Sequence, residues 1–202
     1  MKLNLVEKFI TNNPIRAFGQ RYIEGPMLRK MGSLKKYPLC LEIGCGRGIG
    51  AEIIVEQFGT DRVIATDIDP EQIERAKRGL KTEFKDRIEF KVSDAMALDE
   101  SDETFDAVFS FGVIHHMEDW GKTIKEIARV LKHGGEFFFE EPLRGFTGIF
   151  TKGSLFSVIA THPEGGMFSF EEFRDELKDN KVDIINLKHF RKICIFGVGR
   201  KR

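Results

Sequence analysis

The chain has 202 residues, of which 41% are hydrophobic and 32% charged, with 32 Lys/Arg balancing 32 Asp/Glu. That length and apolar content fit one globular domain with a full core and exclude a disordered chain. Zero net charge excludes a whole-protein field that gathers nucleic acid.

Residues 1–36, with Pro14, Gly19, Gly25 and Pro26, read as short helical pieces lying over the domain. Pro38 precedes a short apolar run, Leu39 to Ile43, which reads as the first strand. "GIGAEIIVEQFG" follows with helical character and Gly59 as its stop. "RVIAT", 62–66, is apolar and β-branched, as a buried parallel strand should be. Asp69-Pro70 supplies an N-cap and a first helical residue, which predicts a helix to about Lys81. "RIEFKV", 87–92, and "FDAVFSF", 105–111, are the third and fourth strands. The helix "WGKTIKEIARVL" is expected to stop at Gly134-Gly135, with "EFFFEE", 136–141, as the fifth strand. This alternation of strands and helices is the pattern of a parallel sheet with crossover helices.

Beyond residue 141 the pattern changes. A long Phe- and Gly-rich connection, 142–168, could line an apolar pocket or pack on the sheet edge. Ser169-x-x-Glu172 reads as a capping box that opens a helix to about Asn180. "VDIINL" and "KICIFGV" close the chain as an antiparallel hairpin.

"LEIGCGRGIG", 41–50, places glycines at 44, 46, 48 and 50, between a strand and a helix. Such a turn brings backbone N–H groups and a helix N-terminus up to a ligand. Two ligand classes use it. "GRGIGA" fits a dinucleotide fingerprint, with Asp67 21 residues beyond Gly46 as the ribose acid. S-adenosylmethionine has a sulfonium and an ammonium instead of a pyrophosphate, and a carboxylate near the turn favours it. Glu42, which interrupts the apolar strand, is such a carboxylate, and unpaired in a buried strand it would be costly.

Taken in order, "LEIGCGRG", "VIATDIDP", "VSDAMAL" and "FDAVFSFGVIHHMEDW" resemble the motifs of class I S-adenosylmethionine-dependent methyltransferases over residues 38–141. The fourth is similar to the branch that includes ubiquinone- and menaquinone-biosynthesis enzymes. The resemblance implies a doubly wound α/β fold with a mostly parallel seven-stranded sheet, order 3-2-1-4-5-7-6, closed by an antiparallel hairpin. It implies one domain, 1–202: a helical cap (1–36), a cofactor-binding core (37–141), and a variable lid segment, helix and hairpin (142–202). It implies a cofactor site of Glu42, Gly44 and Gly46, with Asp67 on the ribose, Ile68 against the adenine, and Asp94 beside Ala95 at the adenine amino group. Ser110 and Phe111 would lie under the methionyl end.

Methyl transfer needs alignment above all, and a general base only where the acceptor must lose a proton. His115 is the candidate base, His116 the alternative, and Glu140 and Glu141 share the strand-end rim. His162 lies in the variable connection. No N-P-P-[YF] follows the fourth strand, which disfavours base or glutamine-amide methylation, and no Cys/His spacing suggests a metal site. The expected function is methyl transfer to a small apolar or amphipathic acceptor, such as a quinone- or lipid-like molecule. The alternatives are a protein or RNA methyltransferase, an NAD(P)-dependent oxidoreductase, and a non-catalytic S-adenosylmethionine-binding module.

Residues 1–36 carry eight Lys/Arg against Glu7 and Glu24, and Lys188 to Arg202 carry six with no acid. Both ends read as solvated basic surface or as contact with an anionic surface. Three cysteines (Cys40, Cys45, Cys194), odd in number and without a CxxC pair, fit a reducing cytoplasm. There is no run of 18 apolar residues, so no membrane span is expected. A charge within its apolar stretch argues against reading the N-terminus as a signal peptide.

Overall fold

The chain was analysed as a computed structural model that describes residues 13–33, 36–144, 167–190 and 193–202. Seven strands form one sheet: β1 (Leu39–Ile43), β2 (Arg62–Asp67), β3 (Ile88–Val92), β4 (Phe105–Phe111), β5 (Leu131–Pro142), β6 (Val182–Phe190) and β7 (Cys194–Lys201). Their order is 3-2-1-4-5-7-6, as the motifs implied. The first five strands pair in parallel, and β7 runs antiparallel to both β5 and β6.

Six α-helices accompany the sheet among the described residues: α1 (Pro14–Gly19), α2 (Gly25–Met31), α3 (Ile49–Gln57), α4 (Pro70–Gly79), α5 (Trp120–Val130) and α6 (Phe170–Asp179). A π-helical turn, Gln20–Glu24, joins α1 to α2. Alternate strand residues point to opposite sheet faces, so two cores form. On one face Cys40 and Phe109 join Leu28 of α2 and Ile53 and Ile54 of α3. On the other, Leu41 and Val108 join Ile124 and Ile127 of α5 and Phe173 of α6. The central strands β1 and β4 are buried on both faces, which is why they read as nearly continuous apolar runs, whereas edge strand β3 leaves Glu89 and Val92 exposed.

Local chemistry fixes the helix starts. Asp69 caps α4 by accepting the Glu71 N–H at 3.1 Å, with Pro70 at the first helical position. Ser169 and Glu172 form the reciprocal capping box of α6, with bonds of 3.2 and 2.6 Å.

The junction of α5 and β5 differs from the sequence reading. The helix ends at Val130, not at Gly134-Gly135, and the strand starts at Leu131. Leu131 is fully buried and pairs with Phe105, and the register breaks before Ala107 meets Glu136. Burial of Leu131 draws the chain into the sheet five residues early, and Gly134, at φ +77°, absorbs the irregularity that follows. In addition, α4 ends at Gly79 rather than Lys81, while β6 and β7 run longer than their apolar cores suggested. Most of the 142–168 connection, including His162, lies outside the described residues.

The strand order reverses at β1, which has β2 on one side and β4 on the other. In doubly wound sheets the ligand crevice opens at such a point, beyond the carboxyl ends of the strands.

Candidate functional site

A cleft opens there, walled by the turn between β1 and α3, the ends of β2, β3 and β4, and the N-terminal helical segment. Gly44, Gly46 and Gly48 all have left-handed backbones (φ +64°, +52° and +87°). L-residues with side chains avoid this region. At Gly48, which caps α3, a Cβ would also press on the Phe90 ring, 2.7 Å away. Gly50 is helical and has a different cause. A Cβ there would collide with the carboxyl group of Glu42 and with the Phe111 ring.

Glu42 therefore reaches under the first turn of α3. It is 2% exposed, it accepts from the Ala51 backbone N–H, and its Oε2 has no hydrogen-bond partner. Burial, reinforced by the negative charge of Asp67, pushes its pKa up to about 8. A helix N-terminus is the usual seat of a ligand phosphate. Here a protein carboxyl group has taken that position. The neighbouring Cys45 thiol is also raised well above its usual range, mainly by burial, so it is no ready nucleophile.

Asp67 ends β2. Its Oδ2 accepts from the Gly46 N–H and its Oδ1 from the Asp69 N–H, both at 2.9 Å. These bonds tie the carboxylate to the glycine turn and fix its direction in the cleft. Asp94 follows β3 and is held by the Met96 N–H on its Oδ1 at 2.9 Å. Ile68 and Ala95 line the cleft beside these acids. Two further buried polar atoms on the cleft wall, Ser93 Oγ and Gln72 Oε1, lack a hydrogen-bond partner.

Past the end of β4 the wall becomes apolar, with Phe111, Val113 and Met117, joined by His116. Ser110 and His115 do not reach the cleft, nor do the rim acids Glu140 and Glu141, and Glu141 holds both Ser110 and His115. Ser110 is fully buried and donates to Glu141 Oε1 at 2.6 Å. His115 Nδ1 lies 2.9 Å from Glu141 Oε2. The same carboxylate accepts the backbone N–H groups of Val113, Ile114 and His115 at 3.1–3.3 Å. Glu141 thus pins the 3₁₀ turn Ile114–His116, and that turn delivers His116 to the cleft with its ring tilted at 41° to that of His115, centroids 4.0 Å apart. Two adjacent residues of a 3₁₀ turn point different ways, so only one histidine reaches the cleft.

The N-terminal segment supplies a wall that no motif announced. Arg16, Ala17 and Gln20 line the cleft. Arg16 is clamped by Glu140 at 2.6 Å and by Glu24. Burial lifts Glu140 to about 7, while Arg16 pulls it the other way. Glu140 is thus committed to this ion pair, and Arg16 shields it from the cleft.

The sequence candidates brought together around the cleft are Glu42, Gly44, Gly46, Asp67, Ile68, Asp94, Ala95 and Phe111. A buried carboxyl oxygen without a partner, two orphaned polar atoms and a backbone cradle cleared of side chains fit a polar ligand bearing a cationic group. They fit S-adenosylmethionine. No group of three or more metal-ligating side chains occurs among the described residues.

Residues 41–139 match the methyltransferase-domain family. The chain is 39% identical over 98 residues to a 27-O-demethylrifamycin SV methyltransferase of Amycolatopsis mediterranei, covering 47% of this chain and 35% of that one. It is 34% identical over 125 residues to a demethylmenaquinone methyltransferase of Lactococcus lactis, covering 61% and 49%. The chain thus spans at most about half the length of these relatives. In fold it resembles a SAM-dependent methyltransferase from Aquifex aeolicus, with TM-score 0.76, 18% identity and 98% coverage of both chains.

Proposed function

We propose that this chain, whose residues 41–139 match the methyltransferase-domain family, is a class I S-adenosylmethionine-dependent methyltransferase that transfers a methyl group to a small, apolar or amphipathic acceptor. The observation that carries the proposal is one cleft lined both by the acids Glu42, Asp67 and Asp94 and by the largely apolar set Phe111, Val113, His116 and Met117.

S-adenosylmethionine, when bound, supplies a methyl carbon already activated on a sulfonium. The protein's part is to hold and orient. Glu42 places negative charge toward the cationic methionyl end, and a ligand cation there would draw its raised pKa back down. Asp67 would accept from the ribose hydroxyls and Asp94 from the adenine amino group, with Ile68 against the ring. Phe111, beside Gly50 and Glu42, would lie under the methionyl end. His116, the histidine on the cleft wall, takes the proton from an acceptor hydroxyl or amine.

The apolar lining supports an acceptor with little charge. The rifamycin and demethylmenaquinone in the relatives' names support a ring-bearing organic molecule. The position of Glu42 argues against a dinucleotide, whose pyrophosphate would meet a carboxyl group at the N-terminus of α3. Incubation with S-adenosylmethionine labelled in the methyl group, against a panel of hydroquinones, phenols and amines, tests the proposal. Label is expected in the solvent-extractable product. Label recovered only in added protein or RNA would contradict it.

A further inference from the structure

The methionyl group of S-adenosylmethionine is a zwitterion, with an ammonium and a carboxylate on one carbon. Glu42, with its unpartnered Oε2, suits the ammonium and repels the carboxylate. A cleft that holds this group therefore needs a cation close to Glu42 as well. Two arginines line the cleft, Arg16 and Arg47.

Position separates them. Arg47 lies between Gly46 and Gly48, and the Gly46 N–H donates to Asp67, the acid assigned to the ribose. Arg47 is thus on the ribose side of the turn. Arg16 comes from the N-terminal wall, and its Nη2 stands 3.8 Å from where a Cβ on Gly112 would lie. The residue before Gly112 is Phe111, whose ring closes on the Cβ position of Gly50 together with the Glu42 carboxyl group. Contacts thus run from Arg16 through Gly112 and Phe111 to Glu42, which puts the guanidinium at the methionyl end.

The guanidinium also has donors to offer. It carries five N–H groups in a rigid planar fork. Nη1 gives both of its hydrogens to Glu24, and Nη2 gives one to Glu140 at 2.6 Å. The Nε–H and the second Nη2 hydrogen make no hydrogen bond among the described residues. The side chain is 25% exposed. Glu24 and Glu140 therefore fix the direction of the fork without using it up. They repel a further anion, but the methionyl group brings its own ammonium with its carboxylate and so adds no net negative charge. Neither α1 nor the π-helical turn after it contains a buried residue, and Arg16 and Arg21 tie this wall to the body through ion pairs. A ligand carboxylate on Arg16 would add one more tie.

We propose that Arg16 anchors the methionyl carboxylate of the cofactor, with Glu24 and Glu140 as positioning residues that aim its guanidinium. The proposal rests on the S-adenosylmethionine reading and extends it to a residue outside the four motifs.

Calorimetric titration of the full chain with two probes tests it. One is S-adenosylhomocysteine. The other is its decarboxylated analogue, S-adenosyl-3-thiopropylamine, which keeps the ammonium and lacks the carboxylate. The unaltered protein should bind S-adenosylhomocysteine more tightly by about tenfold to a hundredfold, the scale of hydrogen bonds to a charged group. This comparison needs no variant. Arg16→Met should weaken S-adenosylhomocysteine by about the same factor and leave the decarboxylated analogue nearly unchanged. Arg16→Lys keeps the charge without the fork and should recover part of the loss. Arg47→Met should not distinguish the two probes. Three results would overturn the proposal and leave the cofactor reading standing: equal affinity of the unaltered protein for both probes, equal loss of both in Arg16→Met, which would make Arg16 a structural clamp only, or a loss confined to S-adenosylhomocysteine in Arg47→Met in place of Arg16→Met. Failure of the unaltered protein to bind either probe would overturn the cofactor reading and this proposal with it.

Discussion

The carboxyl group of Glu42 occupies the space in which a side chain on residue 50 would begin, so Gly50 is a glycine for the sake of Glu42. The three glycines before it serve the backbone of the turn, and this one serves a buried charge. The pairing makes the cofactor end of the cleft expensive to fold and selective in what it holds.

Gly50→Ala should therefore push the Glu42 carboxyl group aside. Overpacking of this kind costs about 1–3 kcal/mol, and affinity for S-adenosylhomocysteine should fall with stability. Adding Glu42→Ala to Gly50→Ala should restore stability but not binding, a non-additivity measurable in a double-mutant cycle by thermal melts and calorimetry. Additive losses in stability would mean that the two residues do not share the space.

The pKa of Glu42 sets a pH signature. Its folded value, about 8, lies above the roughly 4.3 of an unfolded Glu. Between those values the folded state holds the extra proton, so this group's contribution to stability declines as pH rises from about 4.3 to about 8. Glu42→Gln removes that decline. The variant's advantage in melting temperature should grow across this window and level off above it, while its affinity for S-adenosylmethionine drops. A variant less stable than the parent throughout the window would contradict the assignment.

Binding of a cationic cofactor should also expel the Glu42 proton. Below about pH 8 the calorimetric heat of S-adenosylmethionine binding should depend on buffer ionisation enthalpy, and in Glu42→Gln that dependence should vanish. Equal buffer dependence in both proteins would assign the proton elsewhere.

The two histidines should separate by phenotype. His115→Ala removes a partner of the buried Glu141 and should lower stability by about 1–3 kcal/mol. His116→Ala should leave stability and S-adenosylhomocysteine binding nearly unchanged and slow transfer by roughly a hundredfold or more. Glu141→Ala strands Ser110, three backbone N–H groups and His115 together, and should cost about 3–5 kcal/mol, more than either histidine. Thermal melts order these three variants.

Much of this site was readable because its motifs are local. A strand, a glycine turn and an acid 21 residues further on are tied by short-range chemistry, and the Asp67–Gly46 bond joins the two motifs directly. Asp69 as a cap was legible because Pro70 follows it. What the sequence hid was long-range. Glu141 reads as a rim carboxylate, and only the pairing of β5 with β4 reveals that it faces the turn after β4 and takes Ser110 and His115 out of the cleft. Two histidines in a row gave no signal as to which would face inward. Arg16 is more than a hundred residues from Glu140, and no local pattern links them. The early start of β5 was hidden because Gly134-Gly135 reads as a helix stop, and burial of Leu131 overrode that local signal.

The most direct test of the cofactor reading is calorimetric titration of the chain with S-adenosylmethionine, S-adenosylhomocysteine and NAD, alongside Asp67→Ala. Saturable binding of S-adenosylmethionine or its product is expected, weakened in the variant by roughly 1.5–3 kcal/mol, the scale of hydrogen bonds to a charged group. Binding of NAD with none of S-adenosylmethionine would contradict the account and make the glycine turn a dinucleotide site.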